Sequence, residues 1–444
     1  MAVAAVAALA ATGCAATKDS APAVLGYDAN RPAVTIDFWY MPAGGPIQDQ
    51  AVLKETQEFH AKHPNITVKP VRVEWDDALT RISTASTSGE GPDVTQLGTT
   101  WVGGFSSLGA LRPYTTAEIA AIGGQQAFAE AAWSSSHLAG SKDITAIPWL
   151  VDIRSLFYRT DVLAKAGIDP GTAFSTWQSF EATLKKIRDA KLGVEPLAIG
   201  NQNNFGIIHN VAPFIWGAGG DLLDASGTHS RLAEPAAVDA VSYYQRLVAL
   251  YDDPKAVTLA SNNVPAAFAS GIGAVTIDNS QSIADFLSNP DRPGLKAGWA
   301  TAQMPAGRAG RFGFLGGSNL AILKGAKHPD AAFEFVKFLA SKPSQQRYAV
   351  NSGFWPARKD AVAGTRLETD PAYVAFREMI PHGRMYPSVP AWITVETVIA
   401  KDFAELWHAN GALPREEIQS ILTRTSADID DALKDSSATG IGGN

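Results

Sequence analysis

The sequence contains almost no cysteine. Cys14 is the single cysteine among 444 residues, so no intrachain disulfide can form, and a zinc site built from several cysteines is excluded.

The sequence also lacks a large excess of positive or negative charge. The 37 basic and 44 acidic residues leave a formal net charge of -7, which gives no electrostatic reason to expect a nucleic-acid partner. This balance favours a neutral ligand.

The signatures of common enzymes are missing as well. The eight histidines form no HExxH pair that would hold a catalytic metal, and GxSxG, GxxxxGK[ST] and GxGxxG do not occur. We therefore expect a protein without catalysis, metal or cofactor. One alternative stays open, because a glycosidase needs only two suitably placed carboxylates, and such a pair leaves no signature in the sequence.

Long hydrophobic runs are scarce, and the first one is short. The small apolar residues from Ala2 to Thr12 are too few to span a bilayer but are typical of a signal-peptide core. Residues 1–13 are therefore interpreted as a signal peptide, and the missing basic residue before the run is compatible with a truncated start. A buried N-terminal helix is the alternative.

The residues before Cys14 resemble the bacterial lipobox, although Ala11 stands where leucine is usual. In a lipobox the cysteine receives lipid and becomes the new N-terminus, so Cys14 is the predicted lipidation site. Residues 14–33 are rich in Ala, Ser, Asp and Pro and lack an apolar period, which is typical of a tether.

The remaining chain alternates between strand and helix patterns. Val34, Ile36 and Phe38 alternate with polar residues as in a strand, and helical spacing follows up to His63. Helices are also predicted at 329–339 and after Pro414. The other predicted strands lie at 66–73, 93–97, 144–149, 197–199, 274–277 and 320–323. This order predicts parallel or mixed sheets covered on both faces, with ligand-binding residues beyond the carboxyl ends of strands.

Four segments together carry a resemblance to a known family. They are GEGPDVTQLGTTWVGGFSSLGAL at 89–111, IPWLVDIRSLFYRTDVLAKAG at 147–167, FASGIGAVTIDN at 268–279, and 316–358, which contains GGSNLAILKGAKHPDAAFEFVKFLAS and NSGFWPARKDAV. In this order they resemble the carbohydrate-binding proteins of bacterial ABC importers, family 1 of the solute-binding proteins. The fourth segment is the most specific, and the resemblance extends from about Val34 to Leu433.

The resemblance implies an α/β fold of the periplasmic-binding-protein class, type II-like. Each of two lobes would be a mixed sheet flanked by helices, and a multi-strand hinge would join them. Lobe 1 would comprise 34–146 and 316–351, and lobe 2 would comprise 147–315 and 352–444. It further implies a monomer, anchored by lipid to the outer face of the cytoplasmic membrane, with ABC permease subunits and a cytoplasmic ATPase as partners.

Sugar rings present apolar C–H faces and a hydroxyl edge, so their sites combine aromatic platforms with polar side chains. Aromatic candidates stand at predicted strand ends or in loops containing Gly and Pro, although ordinary burial is the alternative for each of them. They are Tyr40, Trp101, Trp216, Trp355 and Trp392.

Polar candidates complete the predicted site. Glu74 and Asp152 could accept hydrogen bonds from hydroxyls, and Arg154 or Arg358 could donate, with ion pairs or solvated surface as alternatives. Further candidates are Asn203, Asn279, Gly317 and Ser318, of which the first could instead form a turn and the glycine a hinge. A glycerophosphodiester is the second candidate ligand, because its cationic headgroup suits an aromatic cage.

Overall fold

The chain is organised around one mixed β-sheet. The computed structural model describes residues 28, 30–42, 46–199, 206–252, 264–407 and 411–438. In this part of the chain the strands are β1 (Val34–Tyr40), β2 (Ile66–Arg72), β3 (Val94–Gly98), β4 (Ile147–Arg159), β5 (Glu195–Leu197), β6 (Gly273–Asn279), β7 (Trp299–Ala302), β8 (Gly313–Ile322), β9 (Trp355–Pro356) and β10 (Gly383–Arg384).

The strand order shows how the sheet is connected. Its main path is β2-β1-β3-β8-β4-β6-β5, while β7 and β9 pair with β4, and β10 pairs with β8. Strand β1 runs parallel to β2 and β3, and β5 runs parallel to β6, whereas β8 and β4 are antiparallel to each other. The prediction of a mixed sheet is therefore confirmed.

Strand β4 belongs to two sectors of this sheet. It has 13 residues, against a usual length of about five or six. Its first half pairs with β8, from Ile147 opposite Leu320 onwards, and its second half pairs with β6. We call β1, β2, β3, β8 and the first half of β4 the β1 sector, and β5, β6, β7 and the second half of β4 the β6 sector. The predicted lobe boundaries 146/147 and 315/316 fall at the start of β4 and within β8.

Helices cover both faces of the sheet. In the described residues they are α1 (Pro46–Lys62), α2 (Trp75–Ser88), α3 (Val102–Ser107), α4 (Thr116–Ala121), α5 (Glu130–Ser134), α6 (Thr160–Lys165), α7 (Pro170–Ala173), α8 (Trp177–Asp189), α9 (Gly206–Gly217), α10 (Pro235–Tyr251), α11 (Val264–Ser270), α12 (Gln281–Ser288), α13 (Pro293–Lys296), α14 (Pro329–Leu339), α15 (Lys342–Ser352), α16 (Arg366–Thr369), α17 (Val374–Met379), α18 (Trp392–Trp407) and α19 (Arg415–Ala438). Short 3-10 helices lie at Gln125–Ala127, Lys359–Ala361, Pro371–Tyr373 and Ile380–His382.

Local sequence signals place several of these helices. Helix α14 begins at Pro329, whose fixed φ suits a first helical position, and it ends at Leu339 as the sequence predicts. Helix α8 begins with a capping box in which Thr176 and Ser179 hydrogen-bond reciprocally. Helix α19 starts next to Pro414 and buries the apolar residues predicted for its inner face, which are Ile418, Ile421, Leu422, Ile429 and Leu433.

Some predictions fall outside the described residues. They are the signal peptide, Cys14, most of the tether and Asn203. Among the helices that are described, none combines the length and the apolar character needed to cross a membrane.

Candidate functional site

A glycine lets β8 pack closely against β4, the strand that the two sectors share. Gly317 of β8 has a φ of 132°, and a Cβ atom at this position would lie 2.1 Å from the carbonyl oxygen of Leu150 on β4. Only glycine avoids this contact. The next residue, Ser318, is buried, and its hydroxyl accepts a hydrogen bond of 2.8 Å from Gln96 Nε2. Gly317 thus allows β8 to approach β4 closely, and the Ser318 hydroxyl is paired with Gln96.

A buried charged triad lies at the junction of β4 and β6. The Arg154 guanidinium contacts Asp152 at 3.1 Å and Asp278 at 3.2 Å, and all three side chains are less than one fifth exposed. Burial raises the pKa of Asp278, and the positive charge of Arg154 opposes that shift. The two aspartates raise the pKa of Arg154 although burial acts to lower it. One guanidinium thus neutralises two carboxylates only in part.

Two atoms of this triad have unused hydrogen-bonding capacity. Asp152 Oδ1 and Arg154 Nε are buried and have no hydrogen-bond partner among the described residues. A buried polar atom without a partner costs about 1 to 3 kcal/mol. A ligand with hydroxyl groups could satisfy both, because the carboxylate oxygen accepts and the guanidinium nitrogen donates.

Four aromatic rings form a column beside the triad. His209 of α9 stacks on Phe314 of β8, with ring centroids 3.9 Å apart. Phe314 stacks on Tyr386 at 4.9 Å, and Tyr386 stacks on Trp392 at 4.8 Å. Trp216 approaches Tyr386 at 5.9 Å with tilted planes. Segments that are far apart in sequence therefore bring their aromatic rings together in one place.

A carboxylate that sequence reasoning did not identify lies at the end of this column. Glu396 accepts hydrogen bonds from Trp392 Nε1 at 2.9 Å and from Thr100 Oγ1 at 3.2 Å. Trp101 also hydrogen-bonds this carboxylate. Burial raises the pKa of Glu396 to about 7, and the three hydrogen bonds only partly oppose this effect. In the sequence, the one feature that could have identified Glu396 is its position four residues after Trp392.

A narrow cavity lies at the edge of the column. It is lined by Thr99, Thr100, Ser135 and residues around Tyr386. The volume within which the centre of a water molecule can move is about 10 Å³. That volume suits about one water molecule. The side chains here are therefore closed upon one another, and a sugar ring could enter only if the walls separated.

Most of the predicted aromatic and polar residues come together around this cavity and triad. Trp101 and Trp392 meet at Glu396, and Trp216 approaches Tyr386. Asp152 and Arg154 form the triad, and Asn279 pairs with Arg154 across β6 and β4. Trp355 is buried and pairs with Val151, one residue before Asp152.

Three predicted residues have other partners. Glu74 is half exposed and forms an ion pair of 2.9 Å with Arg72. The Tyr40 hydroxyl donates to Asp49 at 3.0 Å, and burial together with that carboxylate raises the pKa of Tyr40 to about 12. Arg358 contacts Asp360 at 2.9 Å and donates to the carbonyl of Ile122 at 3.0 Å.

Arg358 also lines a separate cavity. This cavity has a volume of about 490 Å³ and shares no lining residue with the narrow one. The structure therefore does not bring Tyr40, Glu74 or Arg358 into the cluster around Tyr386. Their role in ligand binding stays a prediction.

The cluster lacks the features of a metal site. Across the described ranges, no group of three or more His, Cys, Asp and Glu side chains could hold a metal ion. What the arrangement provides is a set of aromatic faces with a buried, incompletely paired carboxylate and guanidinium. Such a set is suited to holding a polar organic molecule.

Comparisons with known proteins agree with this description. Residues 43–346 match the family model of the bacterial extracellular solute-binding protein. A putative binding protein of Brucella abortus is 27% identical over 390 residues, which cover 85% of this chain and 88% of that protein. The diacetylchitobiose binding protein DasA of Streptomyces coelicolor is 29% identical, with 82% of each chain covered.

A solved structure is similar over nearly the whole chain. The maltose-bound MalE3 of T. maritima superimposes with a TM-score of 0.79 at 25% identity. The match covers 90% of this chain and 99% of that one.

Proposed function

Because this chain belongs to the family of bacterial extracellular solute-binding proteins, we propose that it captures a mono-, di- or short oligosaccharide and delivers it to the permease of an ABC importer. The α/β two-lobed periplasmic-binding-protein fold predicted from the sequence is that of its structural relatives. The named relatives are binding proteins. Capture without chemical conversion is the corresponding role for this chain.

The aromatic column beside the unsatisfied triad is the observation that carries the sugar proposal. Aromatic rings suit the apolar C–H faces of a pyranose, and the rings of Tyr386 and Trp392 lie beside the triad. Asp152 and Arg154 each retain a buried atom without a partner in the described residues, and ring hydroxyls can both donate and accept. The aromatic rings would thus supply apolar contact, and the triad would orient the sugar through hydrogen bonds.

The two sectors of the sheet support a division into two lobes. We assign 34–146 and 316–351 to lobe 1 and 147–315 and 352–444 to lobe 2, with β4 and β8 as the strands that cross between them. Because the narrow cavity holds about one water molecule, the lobes would separate to admit a sugar and then close over it.

The proposal includes a location and partners. Cys14 would carry a lipid anchor, so that residues 15–33 tether the folded part to the outer face of the cytoplasmic membrane. The protein would act as a monomer and dock on the permease subunits, whose cytoplasmic ATPase drives import. It would need no cofactor, because binding requires only the contacts described above.

A thermal-shift screen tests the function directly. A ligand that binds only the native state at 100 times its Kd stabilises that state by about 2.7 kcal/mol, so the melting temperature rises. The panel contains mono- and disaccharides, N-acetylated sugars, polyols and glycerophosphodiesters. A response to sugars is expected. A response to glycerophosphocholine alone would favour the alternative ligand, and turnover of a bound oligosaccharide would favour an enzyme.

Replacing the aromatic platform should weaken binding strongly. Trp101→Ala and Trp392→Ala are each expected to reduce sugar affinity by about 1 to 3 kcal/mol, roughly 5- to 150-fold, because stacking contacts and apolar area are lost. Isothermal titration calorimetry would measure the change. Trp177→Ala is the matched control, since Trp177 stacks on Tyr243 outside the cluster. Equal affinity in all three variants would show that Trp101 and Trp392 do not form a platform for the sugar.

A further inference from the structure

We propose that Glu396 is a proton-dependent latch between the lobes, which takes up a proton as the cleft closes and so makes ligand binding tighter in mildly acidic medium than in alkaline medium. This inference rests on the proposed function and concerns the regulation of the same cleft. Three observations support it. Hydrogen-bond donors reach Glu396 from both lobes, its carboxylate is buried without a cation beside it, and the neutral acid can also satisfy the hydrogen bonds.

The hydrogen-bond donors reach Glu396 from two different parts of the fold. Thr100 and Trp101 follow β3, which belongs to the β1 sector. Glu396 and Trp392 belong to α18, which packs against α9, α10 and α19. Separation of the lobes would break the bonds from Thr100 and Trp101 and keep only the bond within α18.

Burial leaves the charge of Glu396 without compensation. The residue is 2% exposed, and no Lys, Arg or His forms an ion pair with it in the described part of the chain. Burial therefore favours the neutral acid, and the pKa of Glu396 rises to about 7. In an open cleft water would reach the carboxylate, and its pKa would return toward the ordinary value of 4.5.

The surrounding groups can accept a protonated Glu396 without rearrangement. Trp392 Nε1 can donate only, and it would continue to donate to Oε1. The Thr100 hydroxyl can reverse its role, because a hydroxyl both donates and accepts. It would then accept the proton carried by Oε2. The neutral acid thus keeps its hydrogen bonds and loses only the buried charge.

The two ionisable rings of the aromatic column do not titrate in the same range. Burial raises the pKa of Tyr386 well above 10, and burial followed by the charge of Arg154 lowers the pKa of His209 well below 6.5. Helix α3 carries no ionisable side chain. The other ionisable groups of α18 are Lys401, Asp402 and Glu405, and Glu405 forms an ion pair with Arg424. The helices packed against α18 carry further ionisable groups, which are Asp239, Tyr243, Tyr244, Arg246 and Tyr251 on α10 and Arg415, Glu416, Glu417, Arg424, Asp428, Asp430, Asp431, Lys434 and Asp435 on α19.

The sign of the pH dependence follows from this pKa difference. A group whose pKa is higher in the closed state binds more protons there, so closure is favoured at low pH. The stabilising contribution is fully present below about 4.5 and is lost as pH rises through about 7. Between pH 5.5 and pH 8 the sugar affinity of the wild-type protein is expected to fall at least about tenfold.

The decisive variant is Glu396→Gln, because glutamine is uncharged, has nearly the shape of the neutral acid and offers both a hydrogen-bond donor and an acceptor. Calorimetry at pH 5.5, 6.5, 7.5 and 8, with a sugar identified by the thermal-shift screen, would give Kd for each protein. The Glu396→Gln variant is expected to lose the pH dependence and to bind more tightly than wild type at pH 8. Asp402→Asn is the control, since Asp402 is a buried carboxylate on the same helix that pairs with Thr425.

A second measurement separates this inference from the proposed function. The open-to-closed equilibrium of the ligand-free proteins is followed at the same pH values by small-angle X-ray scattering. If the latch exists, wild type becomes more compact as pH falls from 8 to 5.5, whereas the compactness of Glu396→Gln does not change with pH, whether or not any sugar binds. Failure of every sugar to bind would overturn the proposed function alone. Parallel pH profiles of wild type and Glu396→Gln in both measurements would overturn the latch.

Discussion

Replacing Arg154 with leucine is expected to reduce the free energy of unfolding by about 3 to 5 kcal/mol. The guanidinium lies between Asp152 and Asp278 at 3.1 and 3.2 Å, and all three side chains are largely buried. Leucine would leave two carboxylates buried side by side without a positive charge. Their mutual repulsion and loss of solvation give this substitution its large effect.

Urea unfolding monitored by tryptophan fluorescence would measure the loss. Asp152→Asn and Asp278→Asn, introduced together in the Arg154→Leu background, should restore much of the stability because no buried charge would remain. Arg246→Leu is a matched control, since the ion pair of Arg246 with Glu181 is more exposed and should contribute at most about 1 kcal/mol. Similar losses at both arginines would show that the triad does not matter electrostatically.

The substitution Gly317→Ala should be the second most damaging, at about 2 to 5 kcal/mol of unfolding free energy. Part of the loss is backbone strain, since a φ of 132° is rarely available to a residue with a side chain. The rest is overlap, because the added methyl group would lie 2.1 Å from the Leu150 carbonyl oxygen. Strands β8 and β4 would have to move apart where the two sectors join.

Gly364→Ala provides the comparison. Gly364 also has a positive φ, of 76°, but a Cβ atom there would meet nothing within 4 Å. Its cost should therefore be limited to conformational strain of about 1 to 2 kcal/mol. Thermal and urea unfolding of both variants would separate strain from overlap. A loss at Gly317 no greater than that at Gly364 would contradict the close approach of the two strands.

The sequence was most informative where a local pattern is sufficient. Helix α14 begins and ends as predicted, because Pro329 and an apolar stripe define it within eleven residues. The predicted strand at 144–149 is much shorter than β4, which continues to Arg159. Most of β4 is buried on both faces, so its sequence shows no clear alternation of polar and apolar residues by which its length could be judged.

The candidate site was predicted less completely. Trp101, Trp392, Asp152 and Arg154 were predicted to be site residues and lie in the cluster, although Asp152 and Arg154 stand in the middle of β4 and Trp392 begins α18. Tyr40, Glu74 and Arg358 stand at or just after strand ends, yet they pair with Asp49, Arg72 and Asp360. Sequence position cannot show which partner a polar side chain finds.

The sequence by itself determined the class of protein, the order of most helices and strands, and the segments that carry the family resemblance. These properties depend on local composition, on periodicity and on short motifs. Only the tertiary structure decided that His209, Phe314, Tyr386 and Trp392 form one column and that Glu396 receives donors from two parts of the fold. Contacts between residues hundreds of positions apart depend on chain topology, and burial in that shared environment, not residue type, shifts the pKa of Glu396.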